Sequence, residues 1–214
     1  MKPLILVALV LAVPVQAQMP QLRLSGGYAL GGYREQGPTL DFKGSGPSAR
    51  FDATWRRFGL TAAVTKLSLT PTDTAAGAVA FTSTETELAL RYRPLDALPV
   101  ETEVGVVRRT VSPGDAAQAM QAWCIGLSAR FALAEGAALE TRAAWLAGAK
   151  FSGGGTAGTA LTLGLQVSYR PVPRLAWAWL VADYDFQRID RETDSPVPIE
   201  ASTVRLGLEA RFLP

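Results

Sequence analysis

Apolar and polar residues alternate along most of this chain, and one five-residue form of that alternation occurs five times. Each copy reads apolar, any residue, apolar, small residue or Arg, and then aromatic, as in Leu88-Ala89-Leu90-Arg91-Tyr92. This is the period of a β-strand whose two faces meet different surroundings. The final aromatic residues lie 37, 39, 38 and 43 residues apart, a spacing that suits one hairpin with its turn and loop. They are Trp55, Tyr92, Phe131, Tyr169 and Phe212.

The same alternation predicts ten strands. In the third of them the apolar phase slips by one residue between Val64 and Leu67, which predicts a β-bulge near Thr65-Lys66. Eight strands is the alternative, if the first hairpin or the third strand is misinterpreted. The predicted strands cover Leu22–Tyr33, Ser48–Arg56, Gly59–Leu69, Thr82–Arg93, Val100–Val106, Trp123–Phe131, Leu139–Trp145, Leu161–Tyr169, Leu175–Val181 and Val204–Phe212.

The connections between the predicted strands alternate in length. Those after odd-numbered strands are long and rich in Gly, Pro, Thr and Asp, whereas those after even-numbered strands are short. Outer-membrane barrels have short periplasmic turns and longer extracellular loops. We therefore predict an all-β fold, a closed antiparallel transmembrane β-barrel with both termini in the periplasm.

One face of the predicted strands is ionic. A charge near the middle of the lipid side would cost about 2–4 kcal/mol, whereas inside a barrel Arg and carboxylates can pair. This face holds eleven arginines and seven acids, so we expect a net positive lumen that is narrow or closed. Four of these arginines are not assigned to the ion-pair network: Arg23, Arg56, Arg93 and Arg170. The predicted ion-pair network consists of Arg50, Asp52, Glu85, Glu87, Arg91, Glu101, Glu103, Arg109, Arg130, Glu140, Arg142, Arg205, Glu209 and Arg211.

The other face carries aromatic residues at regular positions. Rings of aromatic residues mark the two membrane interfaces of such barrels, and the five repeated aromatics predict the periplasmic ring. A soluble β-sandwich or lipocalin-like barrel also alternates, but its apolar face points inward. The predicted interface aromatics are Trp55, Tyr92, Phe131, Tyr169, Phe212, Trp123, Trp145 and Trp177, and Trp179 is assigned the same outward direction.

The first seventeen residues predict a secretory signal peptide. Leu4 to Val15 are almost entirely apolar, and Val15-Gln16-Ala17 provides small residues for cleavage after Ala17. The domain organisation is therefore a signal peptide at 1–17 and a β-barrel at 18–214. The formal net charge of +2 gives no reason to expect nucleic acid as a partner. The absence of Asn and the excess of Arg over Lys, 17 to 4, are features of thermophilic proteins, and a GC-rich genome would also raise Arg over Lys.

Several clusters could carry chemistry, and each has a simpler interpretation that we prefer. The Glu85/Glu87 and Glu101/Glu103 pairs could act as acid and base but lie beside arginines, which favours ion pairs. An acidic group near the last loop could bind Ca²⁺, yet its spacing matches no complete motif. Cys124 is the single cysteine and is expected to be a packing residue. We expect no cofactor and no metal. The acidic group is Asp183, Asp185, Asp190, Glu192 and Asp194.

The last predicted strand, Val204 to Phe212, is similar to the C-terminal signal that the barrel-assembly machinery reads. Together with the repeat, it makes the chain resemble small bacterial outer-membrane barrels of the OmpA/OmpX-like class. The resemblance is architectural and covers residues 18–214. It implies insertion into the outer-membrane bilayer with help from that machinery. Enzymes of this broad class use an active-site histidine, and this chain has none.

The sequence thus favours a non-catalytic outer-membrane barrel with a structural or surface-interaction role through its extracellular loops. The surface ligand is not identified by any motif. The alternative is a porin-like solute channel, narrow and anion-leaning, lined by the arginines. Salt-dependent, anion-selective current through the purified protein would distinguish the channel from the closed barrel.

Overall fold

The computed structural model describes residues 20–35, 40–73, 78–114, 116–192 and 197–212, so the predicted signal peptide lies outside the described residues. These residues contain ten strands, which confirms the prediction and excludes the eight-strand alternative. They are β1 (Gln21–Glu35), β2 (Leu40–Trp55), β3 (Phe58–Pro71), β4 (Phe81–Tyr92), β5 (Val100–Ser112), β6 (Met120–Ala134), β7 (Ala137–Phe151), β8 (Thr156–Tyr169), β9 (Ala178–Glu192) and β10 (Val197–Phe212).

The strands form one closed antiparallel barrel. Each strand pairs with its neighbours in sequence, and β1 pairs with β10, so that Leu22 lies opposite Phe212. Closure removes the unpaired edges that an open sheet would leave. We call the end of the barrel where β1 begins and β10 ends the terminal end, and the opposite end the far end. Among the described residues, no helix is long and apolar enough to cross a membrane.

Near the terminal end, the outer surface of the barrel is apolar and the side chains on it are exposed. Leu90, Leu206 and Leu208, for example, are 61%, 59% and 66% exposed. Such a belt of large apolar residues would be unfavourable in water and fits the hydrocarbon of a bilayer. Residues of the opposite parity, including Asp52, Arg91 and Glu209, are buried inside the barrel.

Toward the far end the two faces exchange their character. Outward positions there are polar, as at Lys43, Lys66, Arg108 and Lys150, all of them exposed. Inward positions are apolar and pack into a buried cluster. Members of this far-end core include Tyr33, Phe42, Leu67, Leu69, Phe81, Met120, Phe151, Ile189 and Ile199.

The predicted bulge in β3 is wrong, and the exchange of faces explains the pattern that suggested it. Pairing of β3 with β4 keeps one register from Phe58 to Leu69, with no shift near Thr65-Lys66. Leu67 and Leu69 are buried inside the barrel, whereas Val64 is exposed outside. The apolar phase slips because the apolar side of the strand changes from outside to inside, and the backbone continues without interruption.

Register shifts occur elsewhere, between β6 and β7 and between β8 and β9. In β7, Gly148 has φ of 60°, a conformation that glycine adopts at little cost. Leu146 is buried on one side of this glycine, and Ala149 and Phe151 are buried on the other. The shift therefore moves the inward-facing positions of β7 from even-numbered to odd-numbered residues, as a β-bulge does. The apolar side chains on both sides of Gly148 thus lie inside the barrel.

The ninth strand was predicted with the wrong start and the wrong phase. It begins at Ala178, and Leu175 and Trp177 belong to the preceding turn. Leu180 and Tyr184 point outward, while Val181 is buried inside. The apolar run after Pro171 and Pro173 shows no clear alternation of apolar and polar residues. The prediction therefore placed the start of the strand three residues early.

The predicted alternation of loop lengths is also wrong. The connections after odd-numbered strands contain four, nine, seven, four and four residues, and those after even-numbered strands contain two, seven, two and eight. The difference arises at the far end, where Gly- and Thr-rich segments continue the strands. In particular, β2 begins at Leu40, eight residues before its predicted start at Ser48.

Candidate functional site

The interior of the barrel is the region where charged groups converge, and its layer nearest the terminal end is built around two carboxylates. Asp52 is 2% exposed and accepts hydrogen bonds from Arg50 at 2.9 Å, Arg91 at 3.0 Å and Thr61 at 2.7 Å. Arg23 lies 3.8 Å from the same carboxylate. A carboxylate with several such donors is well compensated for its loss of hydration.

Glu140 is the second carboxylate of this layer. Arg23, Arg50, Arg91 and Arg130 lie 3.3, 3.5, 3.7 and 4.0 Å from its oxygens. The contacts join β1, β2, β4, β6 and β7 across the lumen, which side chains as long as Arg can span. The interior at this level is therefore crossed by a network of ion pairs.

A second ionic layer lies between the first and the far-end core. Arg142 donates to Glu87 at 2.5 and 2.9 Å and to Glu103 at 2.6 Å. The thiol of Cys124 lies 3.4 Å from the Glu103 carboxylate and 3.2 Å from Arg142. Cys124 is fully buried, in keeping with its expected packing position.

The same layer contains three residues that the sequence argument did not assign to the lumen. Arg109 donates to Glu85 at 2.8 Å and to Gln187, and Arg205 pairs with Asp183 at 2.5 Å and with Asp185. Asp183, Asp185 and Gln187 all lie on β9, the strand whose phase was misassigned. The charge on alternate residues of that strand was the signal that could have found them.

The structure places all fourteen residues of the predicted network on the inward face, each with an ion pair in the lumen. One further residue predicted to face inward does not: Arg56 lies in the β2–β3 turn with φ of 56° and stacks over Trp55, so turn geometry overrides strand parity there. Arg170 follows β8 and keeps its inward parity. Its side chain is 20% exposed, lies 5.8 Å from the Trp179 ring and pairs with Glu135.

The repeated aromatics Trp55, Tyr92, Phe131, Tyr169 and Phe212 are all exposed, and each lies at or near the end of an even-numbered strand. In an antiparallel barrel, those strand ends lie together at the terminal end. Trp123 and Trp145 are exposed further along the barrel. Trp123 precedes Phe131 by eight residues on β6, roughly 20 Å along the barrel axis for a strand tilted by about 40°.

Two tryptophans close to the terminal end behave differently from each other. Trp177 is exposed in the turn before β9. Trp179 was predicted to point outward, and this is wrong: its ring lies 3.5 Å from the Arg211 guanidinium carbon inside the barrel. The indole N–H of Trp179 donates to the carbonyl of Ala176 at 3.0 Å.

The far-end core closes over these ionic layers. The rings of Tyr33, Phe42 and Phe81 form a cluster with centroid separations of 4.9 to 6.2 Å. All three are buried. Edge-to-face arrangements of this kind add to the stability gained from burial.

The remaining candidates from the sequence do not form a site. Asp190 pairs with exposed Arg188, and Asp194 lies outside the described residues. Within the described ranges, no group of three His, Cys, Asp or Glu could hold a metal ion.

One ion pair outside the membrane-spanning segments links two turns at the terminal end. Arg57 and Asp96 lie 2.6 Å apart, and both side chains are exposed. The hydrogen bond from Arg57 lowers the pKa of the Asp96 carboxyl below its ordinary value. Exposed pairs of this kind contribute little to stability.

Comparisons with known proteins identify the fold. No protein-family model and no curated protein matches the chain. Among solved structures, the outer membrane protease OmpT from Escherichia coli is similar, with 12% identity and a TM-score of 0.55 over 90% of this chain and 96% of that one. An outer membrane channel from Pseudomonas putida F1 shares 9% identity with a TM-score of 0.52 over 94% of this chain and 99% of that one. Neisserial surface protein A matches over 89% of this chain and 97% of that one, with 14% identity and a TM-score of 0.42.

These likenesses show the fold, a small β-barrel of the outer-membrane type. The exposed apolar belt near the terminal end gives the same result from the chain's own surface. The chain therefore has the fold of an outer-membrane β-barrel and an outer surface suited to a lipid bilayer.

Proposed function

We propose that this protein is a closed, non-catalytic barrel that acts through the surface it presents outside the cell. In this proposal the terminal end faces the periplasm and the far end faces the exterior. The observation that carries the proposal is the exchange of polarity along the strands, which turns the far half into a water-soluble barrel with its own apolar core.

Closure of the lumen is supported by two kinds of contact. Phe42, Leu69 and Ile199 are almost completely buried where an open channel would hold water. Below them, Arg142 crosses the interior to the Glu87 carboxylate on β4, and Arg109 crosses it to the Gln187 amide on β9. Barrels with few strands are nearly filled by side chains, and ten strands lie near that limit.

A role for the outer surface is supported by the length of the strands at the far end. Paired strands present polar side chains such as Lys43, Lys66 and Arg108 on a scaffold held by backbone hydrogen bonds. Such a surface loses little conformational freedom when it binds a partner, in contrast to long mobile loops. We therefore propose that contacts are made by the strand extensions as well as by the loops.

Single-channel recording in planar bilayers tests the closed lumen. The purified, folded protein is expected to give no stable conductance steps in 1 M KCl. A matched variant with Phe42, Leu69 and Ile199 all replaced by alanine should raise the conductance, because it removes the far-end core. Its folding is checked by heat-modifiable mobility in gel electrophoresis. Stable, anion-selective steps from the unmodified protein would overturn the proposal.

That last outcome would support the alternative function, a narrow anion-leaning channel. The excess of arginines near the terminal end favours this alternative. The Pseudomonas neighbour is named a channel, but at 9% identity its likeness concerns the fold.

The proposal of a non-catalytic role is supported by the absence of histidine from the whole chain. The neighbour from E. coli is a protease, and its 12% identity does not carry that activity over. Peptide and phospholipid substrates incubated with the pure protein should show no turnover. Hydrolysis that co-purifies with the folded barrel and is lost in the Glu87→Gln variant would contradict this part of the proposal.

A further inference from the structure

A cavity of about 210 Å³ opens into the lumen near the terminal end. A single water needs roughly 10–15 Å³ measured in the same way, so the space is large enough for a ligand of several heavy atoms. Its wall is dominated by cationic side chains, with one aromatic ring among them. They are Arg23, Arg91, Arg93, Arg130, Arg211 and Trp179.

Positive charge exceeds negative charge around this cavity. Among the described residues that pair in this layer, six arginines face four carboxylates. The arginines are the five of the cavity wall and Arg50, which lies behind it. Arg130 is the least compensated, since the nearest carboxylate oxygen among the described residues lies at the limiting distance of 4.0 Å. The carboxylates are Asp52, Glu101, Glu140 and Glu209.

Several arginine N–H groups of this wall also lack an acceptor. The buried Nε of Arg91, Nε of Arg93 and Nη2 of Arg211 have no hydrogen-bond partner among the described residues. The side chains of Arg91 and Arg211 are only 5% and 8% exposed. Buried donors of this kind cost free energy unless a partner is supplied, and a charged donor costs more than a neutral one.

The arrangement also holds one guanidinium in a fixed plane. Arg211 stacks on the Trp179 ring at 3.5 Å and donates to Glu209 at 2.5 Å. Stacking and this carboxylate fix Arg211 as a cation in the wall of the cavity. Arginine presents donors in a planar fork that matches phosphate and carboxylate groups.

We propose that this cavity is a binding site for a small soluble polyanion carrying phosphate groups. Its oxygens would accept hydrogen bonds from the guanidinium groups of Arg93 and Arg130, which line the cavity and are partly exposed, and its charge would offset the excess of positive charge around them. This inference goes beyond the proposed function and does not depend on whether the far end is closed.

Isothermal titration calorimetry with inorganic pyrophosphate tests the proposal. The folded protein in a non-ionic detergent with 0.15 M NaCl should bind one pyrophosphate per barrel. Arg130→Gln should weaken binding by roughly tenfold or more, because a charge-assisted hydrogen bond is lost. Arg93→Gln, at the more exposed rim, serves as the second variant if Arg130→Gln does not fold.

Arg174→Gln is the matched control. It removes the same charge at the same end of the barrel, from an exposed turn outside the cavity. Its affinity for pyrophosphate should stay within about twofold of the unmodified protein. Absence of binding, or equal losses in Arg130→Gln and Arg174→Gln, would overturn the proposed site.

Vesicles containing phosphatidylglycerol distinguish a soluble ligand from a lipid headgroup. Pyrophosphate binding in reconstituted barrels should be the same in these vesicles as in neutral ones, since the site lies inside the lumen. Displacement of pyrophosphate by the anionic lipid would contradict a site for soluble anions. A barrel that conducts ions yet binds pyrophosphate would leave this site intact while refuting the closed lumen.

Discussion

The two halves of this barrel solve the same packing problem in opposite ways. Near the terminal end, Leu90 and Leu206 face outward while Asp52 and Arg91 are buried inside. Near the far end, Lys66 faces outward while Leu69 is buried inside. The paired strands β3 and β4 keep the period of two throughout, so they exchange the contents of their two faces without a change in the backbone.

The difference teaches that the surroundings of each half decide which face is apolar. Hydrocarbon requires an apolar exterior, and the polar groups that remain must then pair with one another inside. Water permits a polar exterior, and the interior can then gain stability from apolar burial as in a soluble barrel. The boundary between the halves therefore marks one surface of the membrane.

Loss of Asp52 is expected to have the largest effect. Asp52→Ala removes the more buried of the two carboxylates that Arg23, Arg50 and Arg91 share, and we expect about 3–5 kcal/mol of destabilisation. The free energy of unfolding is measured by denaturant titration in detergent. Asp41→Ala, which removes a partly exposed pair with Arg34, should cost less than about 1 kcal/mol. Equal costs would show that the ionic interior is not a buried network.

The far-end core should respond as a hydrophobic core does. Leu69→Ala leaves a cavity at a position that is 2% exposed, and we expect a loss of about 2–5 kcal/mol in the same titration. Ser68→Ala changes the adjacent outward residue and should be nearly neutral. If Leu69→Ala is as mild as Ser68→Ala, the far half has no packed core.

A new charge on the outer surface should distinguish the halves directly. Leu206→Arg places a charge in the apolar belt and should destabilise the barrel in lipid vesicles by about 2–4 kcal/mol. Ser202→Arg lies four residues earlier on the same face of β10, beyond the belt, and should change stability by less than about 0.5 kcal/mol. A similar loss of stability at both positions would place Ser202 inside the hydrocarbon region and would contradict the proposed position of the membrane boundary.

The smallest effect is expected at the Arg57–Asp96 pair. The pKa of Asp96 is lowered, so any stabilisation is present above the ordinary pKa of an aspartate and is lost as pH falls through the lowered value. Because both groups are exposed, Asp96→Asn should leave the unfolding midpoint unchanged at pH 7 and at pH 3. A clear pH-dependent shift would show that this turn contributes more than an exposed pair should.

Most of the fold could be predicted from the sequence because the alternation is strong where the membrane imposes it. The repeats ending at Tyr92, Phe131, Tyr169 and Phe212 indicated the strand number and the inward direction of Arg91 and Arg130. The alternation shows that the two faces of each strand differ. Because the apolar face contacts lipid, the ionic face must be enclosed inside the barrel.

The far half and β9 could not be predicted in the same way. At Leu67 and Leu69 the alternation continues with its meaning reversed, and a bulge explained the pattern equally well until the register was known. At Trp179 and Asp183 the phase depended on where a proline-rich turn ended. The anion cavity needed the three-dimensional pairing, because the unpaired edge of Arg211 is not a property of the sequence.

Spin labels along the outer face of β4 test the exchange of polarity most directly. Single cysteines at Thr82, Thr84, Leu88 and Leu90, in a Cys124→Ala background, are labelled and reconstituted in lipid vesicles. Power saturation then compares collisions with oxygen, which partitions into lipid, and with a water-soluble nickel complex. We expect oxygen to dominate at positions 88 and 90 and nickel to dominate at 82 and 84. Oxygen dominance at all four positions, or nickel access at Leu90, would contradict the account.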